Sequence, residues 1–321
     1  MLQMIVVFLS SSPLRRTDKT MRSLPRAIIL TCVGFISLLW WHHHLSSLQQ
    51  QDHLTIKEKI DVPLTFDALL HVQRVRKKTL RSFCRKKSKL TKLPATQKKA
   101  SQVLSSIAVN HKLNFLYCKI PATGVEEWEH LLEVILEKGN VTLQVPVLYH
   151  QDFGNKMALS KYNLTSMEAL LKAYTKVVFI RDPFHRLISA YMHRLAENLT
   201  FGEFIDYILY IGLKNASVEW TPLVKLCHPC LVQYDYIIMF GFLGNEVHHL
   251  MLRTGFPDNI QMPEFMDSKF QWTYTWLEEQ MFSELSLVQK KRLCHFFRFD
   301  FDAFAFSRSL LWDLICISGN S

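Results

Sequence analysis

The feature that most constrains the fold is a motif that occurs twice: an apolar run of strand length, a short loop, then a helical pattern. The first copy runs Tyr117-Cys-Lys-Ile-Pro-Ala-Thr-Gly124, and the second runs Val177-Val-Phe-Ile-Arg-Asp-Pro-Phe-His-Arg-Leu-Ile-Ser189. Residues 114–118, 176–180 and 234–240 read as short buried strands, and helical patterns follow over 127–138, 184–195 and 245–254. Strands alternating with helices predict an open parallel α/β sheet, whose ligands bind at the carboxyl ends of the strands. The residues from Leu113 onward suffice for one sizeable domain.

The chain's net charge of +10 is unevenly placed. Residues 1–112 hold 20 Lys+Arg against 5 Asp+Glu, a net of +15, and the remainder holds 18 against 23, a net of −5. The basic character belongs to the tail and stem, densest from Arg74 to Lys99. Such a run attracts an acidic glycan or a membrane surface, or is a solvated stem face. Nucleic acid is not the expected partner, because the chain reads as lumenal and the run lacks interleaved aromatic residues on which bases would stack.

Arg15, Arg16, Lys19, Arg22 and Arg26 precede an apolar run from Ala27 to Trp41. Basic residues before an apolar span hold that side in the cytosol. The long leader and the bulky Trp40 and Trp41 oppose the alternative, a cleaved signal peptide. The expected organisation is a cytoplasmic tail (1–26), a transmembrane signal-anchor (27–45), a lumenal stem (46–70) and a lumenal domain (71–321), in type II topology. Four glycosylation sequons, at Asn140, Asn163, Asn198 and Asn215, fall beyond the anchor. So do Cys84, Cys118, Cys227, Cys230, Cys294 and Cys316, an even number that either pairs in an oxidising compartment or stays as buried thiols. Cys227-His-Pro-Cys230 has no second pair at metal spacing, so no metal is expected.

Several ordered segments together resemble the Golgi carbohydrate sulfotransferases, type II enzymes acting on chondroitin, dermatan or N-acetylgalactosamine-type glycans. These are Arg74…Leu80…Cys84, Tyr117-Cys-x-Ile-Pro121…Trp128, and the long segment from Val178 to Tyr191. Later come Trp220-Thr-Pro…Leu226-Cys-x-Pro-Cys230…Tyr234-Asp235 and Asp300-Phe-x-x-Phe304. The resemblance implies a P-loop-like sulfotransferase fold, with a central parallel sheet flanked by helices. It implies the donor PAPS (3'-phosphoadenosine 5'-phosphosulfate), a glycan acceptor, Golgi membrane localisation, and association with other Golgi enzymes. Arg181 and Ser189 would hold the 3'-phosphate, the first with a planar fork of charged donors and the second with a hydroxyl. Asp182 and Arg186 would fix the loop and helix around it. Pro121, Ala122, Thr123, Gly124 and Val125 would cradle the phosphosulfate with backbone N–H groups at a helix N-terminus.

The first loop departs from the family pattern. The residue after the proline is usually Lys in relatives and is Ala122 here; Lys119 is the substitute candidate. Glu126 and Glu127 follow, and a carboxylate near a bound phosphosulfate repels it by roughly 4 kcal/mol at about 4 Å and a near-surface dielectric. Relatives often place a His immediately before the tryptophan that matches Trp220; this chain has Glu219, a candidate general base. The alternative reading is a catalytically inactive sulfotransferase-like protein with a binding or regulatory role. A P-loop kinase is excluded by the absence of Gly-x-x-x-x-Gly-Lys-Ser/Thr.

Overall fold

The hairpin at residues 107–118 sets the character of the sheet. Strands β1 (Ile107–Asn110) and β2 (Phe115–Cys118) are joined by four residues, too few for a crossover helix, so they pair antiparallel with Ile107 opposite Cys118. Asn110 closes the turn by accepting the Leu113 N–H on Oδ1 at 3.0 Å, and Asn114 takes the left-handed conformation at φ 51°. In this computed structural model the described residues are 37, 65–87, 90–137, 157–194, 198–256, 262, 265, 267–306 and 315–316.

The chain divides into two units, Met1–Pro63 and Leu64–Ser321, and the sheet and its helices belong to the second. Among the described residues no helix is long and apolar enough to cross a membrane. The expected anchor over 27–45 lies outside them, Ser37 apart.

Beyond the hairpin, β3 (Met157–Ala158) adds to β1, while β4 (Thr175–Ile180) and β5 (Tyr236–Met239) continue from β2. The order is β3-β1-β2-β4-β5. Strands β2, β4 and β5 run parallel, with Tyr117 opposite Val177 and Val177 opposite Tyr236. The expected parallel sheet is therefore corrected to a mixed one: the three strands read from the sequence are parallel, and β1 and β3 extend them antiparallel.

Side chains alternate between two cores. Leu116, Cys118, Val178, Ile180 and Ile237 face one, and Phe115, Tyr117, Val177, Phe179 and Ile238 face the other. Helix α1 (Phe66–Arg85), α2 (Gln97–Val103) and, after the helix α3 (Val125–Glu137), α4 (Leu164–Ala173) supply part of the covering layers. Trp128, Leu131 and Leu132 of α3 fill the second core, with Trp128 edge-on to Phe115 at 5.2 Å. Helices α5 (Pro183–Arg194) and α6 (Phe201–Ile211) bring Phe184, Leu187, Ile188, Phe204 and Ile205 into the first. Each fully buried side chain of this size contributes about 1.5–3 kcal/mol.

The short helices α7 (Leu223–Cys227) and α8 (Pro229–Val232) precede β5; α9 (Leu243–Arg253), α10 (Asp267–Ser283) and α11 (Leu287–Phe304) follow it. Strand β5 is a sheet edge, and α1 closes it. Buried Gln73 donates from Nε2 to the Ile237 carbonyl at 2.8 Å and accepts the Ile237 N–H on Oε1 at 3.0 Å. Arg76 donates to the same carbonyl and pairs with Glu246 at 2.6 Å.

All six cysteines beyond the expected anchor pair. Cys84–Cys230 ties α1 to α8, Cys118–Cys227 ties the end of β2 to α7, and Cys294–Cys316 ties α11 to the C-terminal segment. Cys227 and Cys230 serve different bridges, which removes them as a zinc pair.

Candidate functional site

Because β2, β4 and β5 run parallel, their three following loops meet at one edge of the sheet. Lys119–Gly124 leaves β2, Arg181 and Asp182 leave β4, and Phe240–Phe242 leave β5. Arg181 is the element they share. The residue is 4% exposed, and its guanidinium lies 4.0 Å from the ring centres of both Phe240 and Tyr274, the latter on α10. Its Nη1 donates to the Ala122 carbonyl at 3.0 Å, joining the second loop to the first. Its Nε and Nη2 are buried and have no hydrogen-bond partner. Burial pulls this guanidinium below the ordinary arginine pKa, and Tyr274, within loose hydrogen-bonding reach but without the geometry of a formed bond, acts against that. A buried cation with two unmatched N–H donors is a seat for an anion.

The first loop is shaped by backbone geometry. Ala122 sits at φ 59°, and Thr123, fully buried, donates its hydroxyl to the Ile120 carbonyl at 2.7 Å. Gly124 lies at φ 93°, and a Cβ there would fall 2.4 Å from Leu243 Cδ1, so both torsion and space require glycine. Val125 then starts α3 with its side chain buried. Glu126 folds back, accepting the Ala122 N–H on Oε1 at 3.3 Å. Burial, chiefly, raises this carboxyl above the ordinary range, and Glu127 adds to the rise. The loop amide at Ala122 is therefore already turned toward an acidic side chain.

The sequence-expected residues divide. Ala122, Glu126 and Arg181 meet in one hydrogen-bonded group. Pro121, Thr123, Gly124 and Val125 build the loop around it, and Ser189 is buried on α5. Lys119 is directed elsewhere: its ammonium is largely exposed and pairs with Glu129 at 2.9 Å, and Glu129 also accepts the Tyr117 hydroxyl. Asp182 accepts the Phe184 N–H at 2.8 Å and the His185 N–H at 3.4 Å, opening α5. Arg186 is fully buried and donates to the carbonyls of Thr221, Val218 and Glu219 at 3.0, 2.9 and 3.1 Å. Asp300, also fully buried, holds the other end of that segment by accepting the Leu223 and Val224 N–H groups at 2.7 and 2.8 Å. Glu219, half-buried, is thus set by a backbone clamped from two sides.

Of the sequons, Asn163, Asn198 and Asn215 are exposed, and Asn163 also caps α4 through the Ser166 N–H at 2.8 Å. Asn140 lies outside the described residues.

Sequence reasoning missed Phe240 and Tyr274, the two rings that hold Arg181. It also missed Glu278 on α10, which pairs with His185 Nε2 at 3.0 Å. Asp182, His185 and Glu278 form the grouping among the described residues with ligand atoms close enough for a metal, within 4.8 Å of one another. Their lone pairs are partly spent on the helix amides and on each other.

Two carboxyls, Asp300 fully buried and Asp182 half-buried, make stability depend on pH. Burial pushes both Asp182 and Asp300 to about 6, while unfolded aspartate titrates near 3.9. The native protein therefore holds protons that the unfolded chain has released, so stability falls as pH rises from about 4 to about 6 and flattens above. Urea-denaturation midpoints across that window measure the slope. Asp182→Asn, which keeps an oxygen for both amides, is expected to reduce it.

The sequence pattern of the sulfotransferase family matches residues 105–307, which contain both loops, Arg186, Glu219 and Asp300. The chain is 25% identical to carbohydrate sulfotransferase 8 of Mus musculus over 287 residues, covering 77% of this chain and 67% of the relative. It is 26% identical to carbohydrate sulfotransferase 14 of Danio rerio, with 60% of each chain covered. It is 24% identical to carbohydrate sulfotransferase 9 of Homo sapiens, with 74% and 61% covered. The match spans about two thirds or less of these relatives' lengths. No solved structure matches the chain.

Proposed function

This chain belongs to the sulfotransferase family, and we propose that it transfers sulfate from PAPS to a hydroxyl of a glycan. The single observation that carries the reading is Arg181, a buried cation with two unmatched donors at the meeting point of both loops. Its fork fits a phosphate, and the rings of Phe240 and Tyr274 hold the fork in place. Ser189 on the following helix is assigned to the same phosphate. PAPS supplies an activated sulfuryl group and a phosphate leaving group. The chain's own residues orient and neutralise: Arg181 binds the anion, and the amides from Ala122 to Val125 face the phosphosulfate. Glu219 is assigned to take the proton of the acceptor hydroxyl as the new O–S bond forms and the S–O bond to phosphate breaks. Lys119, paired with Glu129 in this structure, reaches the donor only by leaving that carboxylate.

We place this activity in the Golgi lumen, on a type II membrane glycoprotein. Three disulfides and three exposed sequons support that compartment. The names of the relatives support a glycan acceptor.

Transfer of labelled sulfate from PAPS to a panel of glycans by the purified protein tests the reading. Folded protein that neither binds PAPS nor transfers sulfate would overturn it. Glu126 provides a finer measurement. Glu126→Gln removes the carboxylate that contacts the Ala122 amide and leaves Glu127 in place, and calorimetric titration with PAPS is expected to show binding about tenfold tighter, or roughly 1.4 kcal/mol. Unchanged affinity would place the donor away from that amide.

A further inference from the structure

A pocket of about 490 Å³ lies at the opposite edge of the sheet from Arg181, at the amino end of β5. Lys77, Arg81 and Arg85 line one side. They are spaced four residues apart on α1, so they share a face and present a cation about every 6 Å at about 1.5 Å of rise per residue. The rest of the lining combines an apolar surface, from Leu80, the Cys84–Cys230 bridge, Pro229 and Tyr234, with the polar Thr91 and Gln233. Its acidic member, Asp235, is already matched, because its Oδ2 pairs with Lys176 Nζ at 2.8 Å and accepts the Lys176 N–H at 2.9 Å. Lys77, Arg81 and Arg85 have no carboxylate partner among the described residues. Burial, followed by repulsion from Arg253 and Arg81, pulls the Lys77 ammonium below its ordinary value, against the opposing field of Asp235. The pocket therefore holds unmatched positive charge beside an apolar wall, apart from the site at the strands' carboxyl ends.

We propose that this pocket is a second anion site, which binds a sulfated or carboxylated oligosaccharide with its anions on Lys77, Arg81 and Arg85 and its C–H faces against the apolar wall. A linear polyanion meets a ladder of cations in step, which a lone phosphate does not. The recess disfavours a bilayer surface, which calls for a protruding basic face with exposed apolar residues beside it. The choice of a glycan among polyanions rests on the function proposed above. The site itself rests on the pocket.

Binding of a heparin-derived hexasaccharide to the immobilised full-length protein, without PAPS, tests this. Lys77→Ala/Arg81→Ala/Arg85→Ala is expected to weaken binding at least about tenfold, or roughly 1.4 kcal/mol, and the binding is expected to fall with added salt. Arg181→Ala is expected to bind the hexasaccharide as the parent does. Because the readout needs no donor, a protein that fails to bind PAPS still gives a result here. Equal affinity in the triple variant, loss of binding in Arg181→Ala, or binding of phosphatidylserine vesicles with no binding of the hexasaccharide would each overturn the proposal. Should the triple variant fail to fold, the exposed single change Arg81→Glu carries the same expectation.

Discussion

Arg181→Ala is expected to weaken PAPS binding by roughly 10²–10⁴-fold while the domain stays folded. The two unmatched donors, Nε and Nη2, sit in a space closed to water, and each charge-assisted hydrogen bond to an anion is worth about 1.5–3 kcal/mol. Two such bonds give about 3–6 kcal/mol, at about 1.4 kcal/mol per factor of ten. The loss of the Ala122 carbonyl contact loosens the first loop as well, so both anion cradles feel one substitution. Arg181→Lys keeps the charge but loses the planar fork between Phe240 and Tyr274, and its affinity is expected to fall between the two. Calorimetric titration with PAPS reads all three proteins. Parent-like affinity in Arg181→Ala would remove this residue from the donor site.

The second large effect is on stability. Arg186→Met is expected to destabilise the domain by about 3–5 kcal/mol, the usual cost of removing one partner from a buried charged network. The substitution strands the carbonyls of Val218, Glu219 and Thr221, and it removes the cation whose field acts on Asp300. For a domain of this size each 1 kcal/mol shifts the melting temperature by about 2–4 °C. Burial lowers the Arg186 pKa to about 10, still far above physiological pH, so the residue is charged throughout the working range. Thermal and urea unfolding measure the loss. A shift within experimental error would mean that the segment from Val218 to Val224 is held by Asp300 alone.

The parts of this molecule that were legible in the sequence are those whose signal is local. Apolar runs at 115–118, 175–180 and 236–239 became strands within two residues of where the pattern put them, and the helices after them began within two residues as well. The loop between Ile120 and Gly124 was legible because proline and glycine mark it. What stayed hidden depends on distant partners. Strand β1 is only four residues long and becomes a strand through its turn to β2. The rings around Arg181 come from β5's exit loop and from α10, and no spacing in the sequence announces Tyr274. Six cysteines permit 15 pairings, and sequence does not choose among them. The direction of Glu126 was equally closed to inspection, since a first-turn glutamate points outward or back depending on the loop it meets.

The pairing has a topological consequence. The bridges 84–230 and 118–227 are nested, so the inner one closes a covalent ring that contains the loops after β2 and β4, Arg186 and Glu219. A backbone cut anywhere inside that ring leaves the two pieces joined, and only a reductant separates them. The ring's closure also has a near miss built in, because Cys227 and Cys230 stand three residues apart on consecutive short helices. An exchange of their partners would tie the end of β2 to α8 in place of α7. Correct pairing therefore asks four thiols, Cys84, Cys118, Cys227 and Cys230, to sort their partners as well as to oxidise.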